Sequence, residues 1–130
     1  MNHAYDQVRD FHQRFRNPVA DAPTLIASKR AQQRAAFMRE EIDEFLASET
    51  IADQADAMID LIYFALGTMV EMGVKPDALF AIVHEANMQK LWPDGKPHYN
   101  ELNKVIKPDT WRDPGPLIEA AIAAMGGEAT

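Results

Sequence analysis

An acid at the centre of the most apolar stretch constrains this chain more than any other feature. Residues 57 to 70 read Ala-Met-Ile-Asp-Leu-Ile-Tyr-Phe-Ala-Leu-Gly-Thr-Met-Val, with Asp60 inside the run. A helix apolar on nearly every side is a buried helix. An ionised carboxylate in such a helix is costly unless it is paired or bound to a metal ion. Asp56 lies one turn before it on the same face, and Glu40, Glu41 and Glu44 sit on the preceding helical segment. Two helices that each turn carboxylates inward gather charge that only a cation holds together. Because only oxygen ligands are on offer, the expected ion is Mg²⁺ or Mn²⁺. The bland alternative for Asp60 is an ion pair with a buried base such as Arg34 or His12.

The chain is of one-domain length, 130 residues, and its 47% hydrophobic content suffices for a core. No run of 18 apolar residues occurs, so no transmembrane helix is expected. The opening Met-Asn-His-Ala-Tyr-Asp-Gln lacks the pattern of a secretory signal, and a cytoplasmic location is the simplest expectation. There is no cysteine, which excludes disulfides and thiolate metal sites. A net charge of −7 argues against DNA or RNA as the main partner. It does not argue against a small anionic ligand screened by a metal ion.

Hydrophobic periodicity predicts an all-α fold with four main helices. Val8, Phe11 and Phe15 recur at helical spacing and predict a first helix over 4 to 16. Asn17-Pro18 ends it, and a loop runs to Pro23. The second helix is expected over 24 to 47, and the third from a Thr50 cap to Met72, with Asp53 at the capping-box position. Gly73 is a stop, and Pro76 starts a fourth helix expected to reach 91. Trp92-Pro-Asp-Gly signals a turn. Five of the eight prolines then fall between 93 and 116, so this tail is expected to be ordered only by lying on the helices. A last helix is expected over 117 to 125, before Gly126-Gly127. No β-alternation long enough to matter is visible.

Residues three or four apart share a helix face, which aligns Glu40 or Glu41 with Glu44, and Asp53, Asp56, Asp60, Tyr63 and Gly67 in a second row. The short turn at 48 to 50 makes the two helices antiparallel neighbours and brings the two rows together. Taken singly, Glu40, Glu41 and Asp43 also fit a solvated face, and Asp53 fits a cap better than a ligand. Farther on, Asn87 and Lys90 stand one turn apart, followed by Lys96, Lys104, Lys107 and Arg112. In so acidic a chain these cations suit phosphate oxygens. Lys90 equally suits the C-terminal dipole of its helix. His3, His12, His84 and His98 have no metal-like spacing. The Glu-x-x-His pairs of a ferritin-type carboxylate protein are absent.

In this order, Glu40-Glu41-x-x-Glu44, Asp56-x-x-x-Asp60-Leu-Ile-Tyr, Gly67, Asn87-x-x-Lys90 and Asp94-Gly95-Lys96 resemble the all-α nucleoside triphosphate pyrophosphohydrolases. That superfamily holds MazG, the dimeric dUTPases and phosphoribosyl-ATP pyrophosphohydrolase, and the likeness spans residues 8 to 112. The resemblance implies a MazG-like protomer of four to five helices in one domain, 1 to 130, with the tail 93 to 116 packed on the bundle. It also implies a homodimer or homotetramer. The implied reaction is Mg²⁺-dependent hydrolysis of a nucleoside triphosphate between the α and β phosphates, giving a monophosphate and pyrophosphate. House-cleaning of unwanted nucleotides is the implied role. The implied metal ligands are Glu41, Glu44 and Asp60. The family's further acid falls on Ala57, and Asp56 is its available substitute. Glu40 or Glu41 would hold the attacking water, while Asn87, Lys90, Lys96 and Lys107 would bind substrate. The family's late Gly-Lys is Asn103-Lys104 here. Alternatives are the phosphoribosyl-ATP enzyme of histidine biosynthesis and a non-catalytic helical module. Phe11, His12, Phe15 and Tyr63 are candidates for lining a base pocket.

Overall fold

The computed structural model describes residues 1–126 and is mostly helical. Its elements are α1 (Asn2–Arg14), α2 (Ser28–Ala47), α3 (Ile51–Met72), α4 (Pro76–Met88), β1 (His98–Tyr99), β2 (Val105–Ile106) and α5 (Gly115–Ala124). Gly127 lies outside the described residues.

The capping chemistry of α3 is as its sequence predicts. Thr50 Oγ1 accepts the Asp53 amide at 3.1 Å, so Asp53 serves the cap. Gly73 ends the helix at φ 69°, a left-handed conformation that favours glycine, and the Ala22 carbonyl packs where a side chain would stand. The loop between α1 and α2 then stitches itself to this helix end. The Ala20 amide donates to Val70 O at 3.1 Å and the Thr24 amide to Met72 O at 2.8 Å. These bonds satisfy carbonyls that a helix C-terminus otherwise leaves unpaired. They also explain why α2 begins at Ser28 rather than at 24: Thr24 is held extended along the end of α3. The first helix starts earlier than expected, because Asn2 and Asp77 cap each other's backbone at 2.8 and 3.0 Å. It ends at Arg14, where Arg16 turns to φ 60° and the Asn17 amide closes on His12 O.

The core is small and lies where α1 crosses the C-terminal half of α3. Tyr5, Val8, Leu66 and Val70 are buried there, with Ala4, Val19 and Met69 packed against them. α2 packs antiparallel along α3, α5 packs on α4, and α3 and α4 meet at a bend of 116°. This corrects the expectation that α3 is buried on every side. Its N-terminal half has only α2 beside it, and Ile51, Ile59 and Ile62 are 86%, 61% and 48% exposed. Ile42 and Leu46 on α2 are exposed as well.

The Pro-rich tail also differs from expectation, because it folds partly on itself. His98 pairs with Ile106 and Tyr99 with Val105 in a short antiparallel hairpin. Trp92 fastens it from below, donating from Nε1 to Ile106 O at 2.8 Å and stacking on His98 at 4.2 Å. Trp111 ties the next segment to the bundle, donating to Ala86 O at 2.7 Å. A proline-rich segment has few amides to pair, so two tryptophan N–H groups supply the missing donors. Among the described residues no single helix is long and apolar enough to cross a membrane.

Candidate metal centre

The turn at 48 to 50 sends α3 back along α2, which sets the last two turns of α2 against the first three of α3. Glu41, Glu44 and Asp60 meet across this seam, each offering a carboxylate oxygen within 4.8 Å of the others. Glu41 is buried, Asp60 half-buried and Glu44 exposed, so the group opens to solvent on one side. Glu41 Oε2 is buried with no hydrogen-bond partner. Burial pushes the Glu41 carboxyl above the usual range, reinforced by the hydrogen bond its protonated form donates to Glu44 and by the charges of Glu44, Asp60 and Asp56. Asp60 is raised as well, by burial first and then by Asp56 and Glu44. A buried carboxylate with one orphaned oxygen, gathered with two further carboxylates and no nitrogen or sulfur donor, fits a hard divalent cation.

The other acids fall outside this trio. Asp56 is exposed one turn before Asp60 and acts on the group through its charge. Glu40 and Asp43 are exposed on α2. The bland alternative for Asp60 does not hold. Arg34 is committed to Glu71, Thr68 and the Phe64 carbonyl, and His12 Nδ1 donates to Pro18 O at 2.9 Å. Since a carbonyl only accepts, the His12 proton sits on Nδ1. His12 is buried, 2% exposed. Phe11 and Phe15 stack at 4.4 Å, and Phe11 meets Tyr63 edge-on at 5.6 Å, forming a part-exposed aromatic cluster beginning three residues after Asp60.

The cations stand elsewhere. Lys90 Nζ donates to Asn87 Oδ1 at 2.8 Å at the end of α4, and α4 packs on α1 and α5 rather than along α2. Lys96 is exposed in the turn before the hairpin, where its amide donates to Asp94. Lys107 lies over the Trp111 ring, with Nζ 4.1 Å from the centroid.

Sequence reasoning missed one buried network. Glu71 is paired with Arg30 at 2.7 Å and Arg34 at 3.2 Å, and its side chain is almost wholly enclosed. The signal was available: an acid in the last turn of an apolar helix opposes the helix dipole and calls for a cation.

The model of the phosphoribosyl-ATP pyrophosphohydrolase family matches residues 8–87, which is well over half of the chain and contains the whole carboxylate trio. A crystal structure from Exiguobacterium sp. 255-15, provisionally described as an NTP pyrophosphohydrolase, is 33% identical, with a TM-score of 0.53 over 93% of this chain and 94% of that one. No curated protein sequence matches. With this match over residues 8–87 and this structural likeness, the chain belongs to the phosphoribosyl-ATP pyrophosphohydrolase family of the MazG-like superfamily, hydrolases of pyrophosphate bonds.

Proposed function

We propose that this protein is a Mg²⁺-dependent nucleoside triphosphate pyrophosphohydrolase that cleaves between the α and β phosphates. The observation that carries this reading is Glu41 Oε2, buried without a partner where Glu44 and Asp60 converge. Glu41, Glu44 and Asp60 would hold the ion, with Asp56 adding charge at its edge. Mn²⁺ has the same preference for oxygen and would substitute. When bound, the ion offsets the repulsion between carboxylates and triphosphate and makes water a nucleophile near neutral pH. Glu40, exposed and next to Glu41 on α2, would accept the proton of a water attacking the α-phosphorus in line. Glu41 orients that water through its carboxylate. Asn87, Lys90, Lys96 and Lys107 would take the charge of the departing pyrophosphate. The part-exposed Phe11, Phe15 and Tyr63 would offer a nucleobase an aromatic surface, with Tyr63 one turn after Asp60 on α3.

The reading requires more than one copy of the chain. The lysines reside on α4 and the tail, away from the α2–α3 seam, and the apolar residues Ile59 and Ile62 beside the acids are exposed. A homodimer or homotetramer, one domain per chain, covers that face and brings a partner's cations to the acids. A cytoplasmic house-cleaning role fits such an activity. The family match favours one second reading, hydrolysis of phosphoribosyl-ATP in histidine biosynthesis.

The test is incubation with Mg²⁺ and a panel of natural and modified nucleoside triphosphates, including dUTP and phosphoribosyl-ATP, with the products resolved. Monophosphate and pyrophosphate are expected. The fastest substrate distinguishes house-cleaning from histidine synthesis. Absence of turnover with every substrate, with Mn²⁺ as with Mg²⁺, replaces the reading with that of a non-catalytic binding module.

A further inference from the structure

We propose that Arg34 is the positioning residue of the carboxylate trio, fixing the register of α2 against α3 so that Glu41 meets Asp60. The inference rests on the metal-site reading above and deepens it. Arg34 is 3% exposed and spends its guanidinium on α3. Its Nη2 donates to Phe64 O at 2.8 Å, its Nε to Thr68 Oγ1 at 3.1 Å, and its Nη1 meets Glu71 at 3.2 Å. Thr68 Oγ1 itself donates to Phe64 O at 2.8 Å, closing a ring of hydrogen bonds around one turn of α3. The Phe37 and Phe64 rings hold the guanidinium carbon at 5.6 and 5.5 Å.

This grip is on the same register as the acids. Glu41 follows Arg34 by two helical turns, roughly 10 Å. Because α3 runs antiparallel, the matching step leads back from the Phe64–Thr68 turn to Asp60. A slip of one turn, about 5.4 Å, would carry Asp60 out of reach of Glu41. Leucine-like packing tolerates sliding, whereas a planar fork bonded to a backbone carbonyl and a hydroxyl does not.

Gly67 makes the room for this device. A methyl group there would collide with Arg34 Nη2 and lie 2.8 Å from His12 Nε2. The glycine in the motif row of α3 thus serves the arginine rather than the ligand.

The experiment is a Mn²⁺ titration, followed by electron paramagnetic resonance, of wild type, Arg34→Lys, Gly67→Ala and Arg30→Gln. All are compared where circular dichroism shows wild-type helicity. Arg34→Lys keeps the charge beside Glu71 but loses the fork. Gly67→Ala keeps every charge and displaces the fork, and it stands in should Arg34→Lys not fold. Arg30→Gln removes a Glu71 partner without touching Phe64 or Thr68, and so reports on stability loss alone. Expected is Mn²⁺ binding weakened by about tenfold or more in Arg34→Lys and Gly67→Ala, and by less in Arg30→Gln. Weakening of Arg34→Lys by less than that, or equal weakening in Arg30→Gln, overturns the proposal while leaving the metal site intact. Wild type that binds no Mn²⁺ removes the metal-site reading itself, and the positioning role with it.

Discussion

Glu41→Gln should make the metal-free protein more stable and the metal-bound protein less stable, a reversal that an ordinary buried residue does not produce. In the wild type Glu41 is buried, its Oε2 has no partner, and two further carboxylates lie within 4.8 Å. Near neutral pH the folded apo-protein therefore holds charge that the unfolded chain disperses into water. A neutral amide of the same shape removes that repulsion, so the apo melting temperature rises. The ion changes the sign. Saturation at a hundred times its dissociation constant stabilises the folded state by about 2.7 kcal/mol. Unfolding entropy of about 2.1 cal/mol/K per residue over 130 residues gives roughly 0.27 kcal/mol per degree. The wild type should therefore gain about 10 °C on saturation, and Glu41→Gln should lose most of that gain. Differential scanning calorimetry at fixed protein concentration, with EDTA and then with Mn²⁺, reads both limbs. A Glu41→Gln protein that melts below wild type in EDTA would refute the reasoning, because Glu41 would then have a structural partner.

Three other outcomes are expected. Asp60→Asn and Glu44→Gln should retain the helical circular dichroism of wild type and lose turnover by more than the ~10–100-fold that outer-shell partners typically cost; near-normal activity in either sinks the ligand assignment. The pH profile follows from the raised carboxyls of Glu41 and Asp60, whose ordinary values are 4.5 and 3.8. A raised folded value contributes stability that is fully present below the ordinary value and lost as pH climbs through the folded one. The apo melting temperature should accordingly fall across that window, and saturating Mn²⁺ should suppress the fall. Asp77, held below the ordinary range by hydrogen bonds from the N-terminal amine and the Asn2 amide, has the opposite sign and no sensitivity to the ion. Identical pH slopes with and without Mn²⁺ would count against the trio. Light scattering on a size-exclusion column should give a dimer or tetramer, and a monomer would leave Ile59 and Ile62 uncovered and the lysines stranded from the acids.

Much of the local structure follows from residues acting on their neighbours. Thr50 with Asp53, Gly73 and Pro76 mark their helix ends through chemistry confined to a few residues, and the structure places those ends there. The pairing of Glu41, Glu44 and Asp60 was legible for the same reason: helical period and one short turn suffice to align the two rows. Where a segment's hydrogen bonds go elsewhere, the reading fails. Thr24 looks like a helix start but its amide belongs to Met72, forty-eight residues on. The tail looks unable to order itself until Trp92 reaches Ile106.

The sequence by itself determined the helical elements, the acid rows and the oxygen-only chemistry of the site, because each depends on spacing within one or two helices. Only the tertiary structure decided which base pairs with which acid. Arg34 and His12 were both candidates for Asp60, and both are taken by Glu71, Thr68, Phe64 and Pro18 instead, which leaves Asp60 to Glu41 and Glu44. It also decided that the N-terminal half of α3 is half open, since burial depends on what packs alongside, and hydropathy alone counts no neighbours.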